Sequence, residues 1–542
     1  MQFAFGSFRW VALFVAAVVA VPLLAGAALA GAPRPNIVLI VADDMGFSDL
    51  GCYGGEIRTP HLNRLAAEGL RYTQFYNAAK CHTTRASLMS GLYPHHTGCE
   101  VPLAARAARN TGQRIEHSGV SIASVLQNAG YAAFASGKWH AGGRPMQRGF
   151  QHSFGLPGGA CSYFTPAKAL LRDEERVQIE PSRDFYFTDA ITEEAVGYLN
   201  EHFASDPKRP FFLYVAYTAP HWPLQAPEED IARYRGAYAA GWQATRQKRY
   251  ERLIEMGVIS PQWQLPKMDP PKDWQSVEHQ AWEQRRMEVY AAMVDRMDQG
   301  IGRVVDAIRE RGALENTVVF FLSDNGGSQE EVQADTGFML GVMPQRARDG
   351  SPVQGGNDPA VMPGPETTFQ TVGHEWGNAN NTPFRYGKVR VHEGGIASPL
   401  IVHWPAGIRD RGGLRRQMAH VIDFLPTCME LAGAAYPREY NGRSTEELHG
   451  VSLVPTFEDR ALDRNALFFE MSGNRSVRTE KWKAVAREGL KKELRDAVHI
   501  PLEYWELYDM QSDRTETKNV AAEHPEVVAE LVARWEQWIA RP

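Results

Sequence analysis

The sequence predicts an α/β fold: a large, mixed and mostly parallel sheet sandwiched by helices, followed by a smaller C-terminal α+β subdomain with an antiparallel sheet and a terminal helix. Runs of apolar, β-branched residues are typical of strands buried on both faces, as in a parallel sheet. Such strands are predicted at residues 36–42, 131–136, 211–217, 317–322 and 399–403. After about residue 430 the apolar segments become short and half-buried in character, which favours an antiparallel meander.

Helical segments separate the predicted strands. Thr59-Pro60 and Gly69 bound the first helix, because proline is favoured at the first helical position and glycine near the end. Further helices are predicted at residues 120–128, 188–203 and 288–311. The last of these carries one apolar stripe, formed by Val289, Met293, Met297, Ile301, Val304, Val305 and Ile308. This alternation of strands and helices is typical of a parallel sheet covered by helices.

Two later segments break this alternation. Residues 225–285 are polar, aromatic and interrupted by proline, and we interpret them as a helical insertion near the functional site. Residues 328–380 are loop-rich. The predicted C-terminal meander ends in an amphipathic helix whose apolar side carries Val528, Leu531, Val532, Trp535, Trp538 and Ile539.

The N-terminus is typical of a signal peptide. Arg9 supplies a positive charge, residues 10–24 are apolar, and Ala28-Leu29-Ala30 has the small-x-small form that a signal peptidase cuts. The alternative is an uncleaved membrane anchor, but the apolar run is barely long enough to span a bilayer. We therefore expect a periplasmic or secreted chain with no membrane span after cleavage. The predicted domains are a signal peptide at residues 1–30, a catalytic domain at 31–430 and a C-terminal subdomain at 431–542.

Composition narrows the classes of function. The 542 residues include 58 Lys and Arg against 64 Asp and Glu, giving a formal net charge of −6. No long basic block is present, so nucleic acid is not expected as a partner. The five cysteines are an odd number, so at least one is left out of any intramolecular disulfides.

Polar side chains follow four of the predicted strands at the point where each strand ends. They are Asp43 and Asp44, Lys138 and His140, His221, and Asp324 and Asn325. The carboxyl ends of parallel strands meet at one edge of a sheet, where ligands bind, so we expect these side chains to converge on one cleft. Four of them offer oxygen ligands, which suit a hard divalent cation, Ca²⁺ or Mg²⁺, better than zinc.

The stretch from Cys81 to Arg85 precedes an apolar, helix-like run. Backbone N–H groups at a helix start favour negative charge, which lowers a thiol pKa and attracts anions. Arg85 adds a planar cation with the geometry to bind an oxyanion. Together with Lys138, His140, His221 and Lys388, it completes a set of cations and proton carriers suited to a tetrahedral oxyanion ester.

In these motifs the sequence resembles the type I sulfatases of the alkaline-phosphatase superfamily. The family signature Cys-x-Pro-x-Arg, followed by Gly-x-Tyr-Pro, corresponds to residues 81–85 and 91–94. The family's Asp-Asp, Gly-Lys-Trp-His, Pro-His-x-Pro, Ser-Asp-Asn-Gly and Lys-x4-Glu-Gly-Gly motifs also occur in order, at residues 43–44, 137–140, 220–223, 323–326 and 388–395. Thr83 stands where the family has proline, so maturation of Cys81 calls for a formylglycine-generating or equivalent enzyme that tolerates threonine.

The resemblance implies a mechanism for this chain. Cys81 becomes formylglycine, and one hydroxyl of the hydrated aldehyde attacks sulfur. Asp43, Asp44, Asp324 and Asn325 hold one divalent cation, Ca²⁺ in preference to Mg²⁺, and the group at Cys81 is its fifth protein ligand. Lys138, Lys388 and His221 bind the sulfate, and one of the latter two protonates the leaving alcohol. Arg85 stabilises the formylglycine hydroxyls, and His140 takes a proton from the second hydroxyl so that sulfate can leave.

The residues leave two other functions open. One is a phosphonate or phosphate monoester hydrolase of the same superfamily, and the other is a non-catalytic protein that binds sulfated glycans through an unmodified Cys81. The substrate is expected to be a sulfated carbohydrate or another small sulfate ester, such as an aryl sulfate, and the sequence does not predict the oligomeric state. Candidates either for lining the pocket or for a structural role are His82, His95, His96, His374 and Trp376.

Overall fold

Strand β1, Asn36–Asp43, lies in the middle of a large sheet and is buried on both faces. Its alternate side chains enter two different apolar clusters: Val38 and Ile40 belong to one, Ile37 and Leu39 to the other. The continuous apolar run in the sequence therefore corresponds to a strand with no solvent-facing side. The computed structural model describes residues 34–99, 119–166, 170–177, 184–336 and 341–541.

The strands run from β1 to the C-terminal meander. In chain order they are β1, β2 (Leu70–Tyr76), β3 (Ala132–Gly137), β4 (His152–Gly155), β5 (Leu170–Arg172), β6 (Glu175–Val177), β7 (Phe211–Pro220), β8 (Thr317–Ser323), β9 (Gln354–Gly355), β10 (Thr368–Phe369), β11 (Ala397–His403), β12 (Gly413–Arg415), β13 (Ala419–His420), β14 (Glu439–Tyr440), β15 (Arg443–Ser444), β16 (Leu467–Met471), β17 (Asn474–Arg478), β18 (Trp482–Ala486) and β19 (Trp505–Asp509).

The helices occupy the segments between these strands. They are α1 (Pro60–Ala67), α2 (Cys81–Ser90), α3 (Ile122–Asn128), α4 (Phe187–Ser205), α5 (Glu228–Ala232), α6 (Gly241–Glu255), α7 (Gln280–Glu310), α8 (Gly373–Asn380), α9 (Glu393–Ile396), α10 (Phe424–Ala432), α11 (Lys492–Asp496) and α12 (Pro525–Ile539). Short 3-10 helices lie at Gly51–Tyr53, Pro94–His96, Met146–Arg148, Trp274–Ser276, Leu314–Asn316, Val421–Asp423, Val454–Glu458 and Leu502–Tyr504. None of the described helices is both long and apolar enough to cross a bilayer.

The main sheet is mixed and mostly parallel, which confirms the predicted fold class. In the described residues its order is β12-β2-β11-β8-β1-β7-β3-β4-β5-β6, with β13 also paired to β2. The five central strands β8, β1, β7, β3 and β4 run parallel, whereas β11 is antiparallel to both of its neighbours. The carboxyl ends of the parallel strands therefore lie along one edge.

Several elements differ from the sequence-based expectation. Strand β2 was not predicted, because Arg71 and Gln74 interrupt its apolar residues. Helix α7 begins at Gln280, earlier than residue 288, because its first turns bury Glu283 and Arg286 as a pair 3.0 Å apart. The predicted signal peptide at residues 1–30 lies outside the described residues.

The predicted insertion at residues 225–285 contains two helices, α5 and α6, and long irregular connections. Arg249 of α6 is fully buried and pairs with Asp49 and Glu56, each at 2.7 Å. Both carboxylates belong to the segment that follows β1. The insertion therefore packs against the loop that leaves the carboxyl edge of the sheet.

The C-terminal part forms the predicted meander and terminal helix. Strands β16 to β19 pair antiparallel in chain order, and α12 packs its apolar side on them. A buried ionic cluster connects this meander to α9: Lys483 Nζ lies 3.0 Å from Glu393 Oε1, and Arg514 Nε lies 2.7 Å from Glu393 Oε2. All three side chains are fully buried.

Removing one member of this cluster should destabilise the fold. We expect Lys483→Met to lower the free energy of unfolding by about 3–5 kcal/mol, because Glu393 would keep a buried charge with one cation fewer. Urea titration followed by circular dichroism measures the change. Lys481→Met, two residues away on the exposed surface, is the control and should change it by less than about 0.5 kcal/mol. A loss below about 1 kcal/mol for Lys483→Met would contradict the prediction.

Candidate active site

Four parallel strands deliver the predicted polar residues to one edge of the sheet. Asp43 ends β1, and Asp324 follows β8. Lys138 follows β3, and His221 follows β7. The order β8-β1-β7-β3 makes these strands immediate neighbours, so the predicted convergence follows from the topology.

Helix α2 supplies the thiol. It begins at Cys81, whose preceding residue Lys80 is extended. Thr83 stands where the sequence motif departs from its pattern, and its hydroxyl donates to the Lys80 carbonyl at 2.8 Å. Cys81 is a free cysteine with only 4% of its surface exposed. The thiol therefore lies at the first helical position, inside the protein.

Each of three buried carboxylates has a lysine or arginine within 3 Å. Lys138 Nζ lies 2.6 Å from Asp43 Oδ2. Arg85 Nε lies 2.8 Å from Asp324 Oδ2. The third pair joins Lys388 Nζ to Asp44 Oδ2 at 2.9 Å. All six side chains are at most 5% exposed, so little solvent screens these pairs.

The oxygen atoms of this cluster fit a divalent cation. Among the described residues, Asp43 Oδ1 and Asn325 Oδ1 are buried and have no hydrogen-bond partner. An unsatisfied buried acceptor costs about 1–3 kcal/mol, so a cation bound to these two oxygens would offset that cost. Ligand atoms of Asp43, Cys81 and Asp324 also lie within 4.8 Å of one another, as do those of Asp43, Asp44 and His221. Carboxylate and amide oxygens are the donors that Ca²⁺ and Mg²⁺ prefer.

The pKa values of Asp43 and Asp324 reflect the negative charges that lie close together at this edge of the sheet. Burial would raise the pKa of Asp43, but the Lys138 ammonium, with His221 and Arg85, holds it below its usual range. Burial and the charge of Asp43 raise the pKa of Asp324 well above its usual value. A bound cation would favour the ionised form of both carboxylates.

The thiol of Cys81 is activated by its surroundings. Burial would raise its pKa, but the positive charge of Lys138 and hydrogen bonds from His140 and His82 hold that pKa well below the usual value. Its Sγ lies 3.4 Å from His140 Nδ1. Residue 81 therefore has a proton acceptor within reach.

Lys388 and His221 form a second pair of proton-carrying groups. Lys388 Nζ lies 3.3 Å from His221 Nε2. His221 Nδ1 lies 2.7 Å from the Trp222 carbonyl, which can only accept, so Nδ1 carries a proton and Nε2 faces the cleft. Burial would lower the pKa of Lys388, but Asp44 and Glu330 raise it well above its usual value. Lys388 therefore carries its proton, and a positive charge, at neutral pH.

Several site residues have strained backbones. Asp44, Ala79, His140 and Val389 have φ angles of 63°, 62°, 49° and 76°, in the left-handed region that residues other than glycine rarely adopt. The Val389 N–H donates to the Ala79 carbonyl at 2.7 Å, so the segments before Cys81 and after Lys388 hold each other. Such strain concentrates at functional sites, where the surrounding fold fixes it.

Sequence reasoning missed one charged residue at the site. Glu330 Oε2 lies 3.2 Å from Lys388 Nζ and accepts a hydrogen bond from Trp222 Nε1 at 2.8 Å. It belongs to none of the predicted motifs. Its position five residues after Asn325, in the loop that leaves β8, is the only sequence signal that could have indicated it.

Of the other pocket candidates, one lies beside the site and two pack in the interior of the protein. His82 lies beside the site, with its ring 5.6 Å from that of His140. Trp376 is fully buried and packs edge-on against Trp242 at 5.7 Å. His95 packs against Trp538 of the C-terminal helix. The structure therefore favours the structural role for Trp376 and His95.

Comparison with known proteins gives consistent matches over most of the chain. The family model described as Sulfatase matches residues 35–434, and the model described as N-sulphoglucosamine sulphohydrolase, C-terminal, matches residues 384–541. An uncharacterized sulfatase of Schizosaccharomyces pombe is 33% identical over 538 residues, covering 93% of each chain. The arylsulfatase of Klebsiella aerogenes is 32% identical over 461 residues, covering 81% of this chain and 95% of that one.

A solved structure supports the same relationship. The crystal structure of Ps i-CgsB in complex with k-i-k-neocarrahexaose is 26% identical and covers 94% of this chain and 93% of that one, with a TM-score of 0.64. The likeness therefore includes the central sheet and the C-terminal meander. The predicted family and fold class are both confirmed by these matches.

The two unpartnered oxygens predict a measurable cation site. After treatment with EDTA, we expect the protein to bind one Ca²⁺ or Mg²⁺ ion, and Asn325→Ala to weaken that binding at least about tenfold. Isothermal titration calorimetry measures the affinity. Asn200→Ala, at an exposed position of α4, is the control and should leave it unchanged. Equal affinity in the wild type and Asn325→Ala would contradict the assignment.

Proposed function

Since the chain belongs to the sulfatase family and is a sulfuric ester hydrolase, we propose that it releases sulfate from a carbohydrate or aryl sulfate through a nucleophile at residue 81. The observation that carries this proposal is the position of Cys81. Its Sγ, Asp43 and Asp324 offer ligand atoms within 4.8 Å of one another, so a group at residue 81 and a cation would lie together. The likeness to the arylsulfatase of Klebsiella aerogenes and to the complex of Ps i-CgsB with k-i-k-neocarrahexaose supports both substrate classes.

Two groups that maturation and binding would add fit this site. Oxidation of Cys81 to formylglycine would supply a hydrated aldehyde, a nucleophile with a hydroxyl to spare for product release. Asp43, Asp44, Asp324 and Asn325 would hold a divalent cation, whose chemistry is Lewis-acid polarisation of sulfate oxygens.

The cations of the chain bind and orient the ester. Lys138 and Lys388 pair with the adjacent carboxylates Asp43 and Asp44. A sulfate group between them would receive charge-assisted hydrogen bonds from two directions, which fixes its sulfur relative to residue 81. Arg85 donates to Asp324 and to the Lys138 carbonyl at 2.9 Å, so it positions both.

Two histidines carry protons at different atoms. His140 Nδ1, 3.4 Å from Cys81 Sγ, is placed to take a proton from the group at residue 81. His221 Nε2 lies beside Lys388, and from there it would protonate the leaving alcohol. Lys388 is the other candidate for that donor, because its ammonium lies 3.3 Å from the same nitrogen.

We also propose that the chain is exported before it acts. The apolar run at residues 10–24 and Ala28-Leu29-Ala30 support this proposal. Mass spectrometry of the N-terminus of the secreted or periplasmic protein would show whether the chain begins after Ala30. A chain that retains its N-terminus in the cytoplasm would overturn this proposal.

Loss of the Cys81 side chain should abolish turnover. We expect Cys81→Ala to lower sulfate release more than about a hundredfold, because the nucleophile is removed. Release from 4-nitrophenyl sulfate measures it, and the wild-type peptide should be about 18 Da lighter than unmodified cysteine requires. Cys428→Ala, in α10, is the control and should retain activity. Residual activity above about a hundredth in Cys81→Ala would contradict the covalent role.

The identity of the leaving-group acid can be separated by substrate. We expect His221→Ala to lower kcat/KM about a hundredfold for an alkyl or sugar sulfate, whose alcohol needs a proton, and far less for 4-nitrophenyl sulfate. The exposed His152→Ala is the control and should affect neither substrate. If both substrates lose activity equally, His221 is not the acid and Lys388 takes that role.

A further inference from the structure

Glu330 is a fourth carboxylate at the site, outside the set of candidate cation ligands. Its Oε2 accepts hydrogen bonds from Lys388 Nζ at 3.2 Å, Trp222 Nε1 at 2.8 Å and Ser328 Oγ at 3.0 Å. Lys388 already pairs with Asp44 at 2.9 Å. Glu330 therefore places a second negative charge on an ammonium that is already neutralised.

The carboxylate stands on the solvent side of this pair. The Glu330 side chain is 44% exposed, whereas that of Lys388 is 5% exposed. Burial would raise the pKa of Glu330, but Lys388 and the Trp222 hydrogen bond hold it at about 2. The carboxylate is therefore ionised at neutral pH, and its charge acts on any anion that reaches Lys388 from solvent.

The charge of the anion separates two classes of ester. A sulfate monoester carries one negative charge, whereas a phosphate monoester carries two above its second pKa of about 6. An anion bonded to Lys388 Nζ lies within roughly 6 Å of Glu330, because each of the two contacts spans about 3 Å. At that distance, one additional charge changes binding by about tenfold to a hundredfold for an effective dielectric constant of about 20–40.

We propose that Glu330 is a specificity-determining residue that selects monoanionic sulfate esters over dianionic phosphoryl esters by repelling the second charge at Lys388. This inference rests on the proposed function of the same site. It also implies weaker binding of inorganic sulfate, a dianion, so the same carboxylate favours departure of the product. The two donors on Oε2 besides Lys388 fix the carboxylate where this repulsion acts.

The test compares three 4-nitrophenyl esters at pH 8: the sulfate, the phosphate and the phenylphosphonate. The sulfate and the phosphonate are monoanions, and the phosphate is a dianion. We expect Glu330→Gln to raise kcat/KM for the phosphate at least about tenfold relative to the sulfate. The phosphonate-to-sulfate ratio should stay within about twofold, because those two esters carry the same charge. Calorimetry should show about tenfold tighter binding of inorganic sulfate.

Two further variants separate charge from shape. Glu330→Asp keeps the charge but shortens the side chain, so it should retain the wild-type preference for sulfate over phosphate. Glu331→Gln removes the neighbouring carboxylate, which pairs with Arg286 instead of Lys388, and should change no ratio. Thermal unfolding of each variant establishes that the fold persists.

The outcomes distinguish failure of the inference about Glu330 from failure of the proposed function. An unchanged phosphate-to-sulfate ratio in a folded Glu330→Gln variant would overturn the inference, as would an equal gain for the phosphate and the phosphonate. If Glu330→Asp loses the preference for sulfate over phosphate as fully as Glu330→Gln does, the shape of the side chain and not its charge determines the selectivity. If the matured wild type hydrolyses none of the esters, the proposed function fails, and the binding of inorganic sulfate still tests the repulsion.

Discussion

The functional edge of the sheet depends on the mutual neutralisation of three carboxylates and three cations whose side chains are at most 5% exposed. The pairs are Asp43 with Lys138, Asp324 with Arg85, and Asp44 with Lys388. In each pair the two partners come from different segments of the chain, so neither segment could hold its charge there without the other. Removing a partner from a buried pair leaves an uncompensated ion, which is among the most destabilising changes in a protein. The site and the sheet edge therefore form together.

Much of this arrangement could be predicted from sequence because two strong signals coincide. Strands β1, β7 and β8 are continuous apolar runs, and each ends in residues that can bind or ionise. Parallel pairing then places those ends together without further information. Strand β2 lacked the first signal, since Arg71 and Gln74 interrupt it. Glu330 lacked the second signal, because it does not stand at the end of a strand. It contacts Lys388, 58 positions away in the chain, across an irregular loop. Such contacts depend on how a loop folds, which local pattern does not determine.

Backbone strain and electrostatics act on the same residues. Asp44 and His140 have positive φ angles, and both present side chains to the group at residue 81 or to its neighbours. A strained backbone persists only where surrounding contacts over-determine it. For Asp44 the ion pair with Lys388 is one of those contacts, and for His140 the hydrogen bond to Cys81 is one. The site side chains are therefore ordered before a ligand binds, which reduces the entropy lost on binding.

The segment that carries Lys388 belongs to two structural neighbourhoods. Towards the sheet, Lys388 contacts Asp44; towards the meander, the Val389 carbonyl accepts from Asn474 Nδ2 at 3.3 Å and the Glu393 N–H donates to Glu516 Oε2 at 2.9 Å. The C-terminal part of the chain thus helps to position the segment that carries Lys388. Exchanging the meander for that of a relative would consequently shift Lys388 and change how an ester binds, while the carboxylates at the sheet edge stay in place.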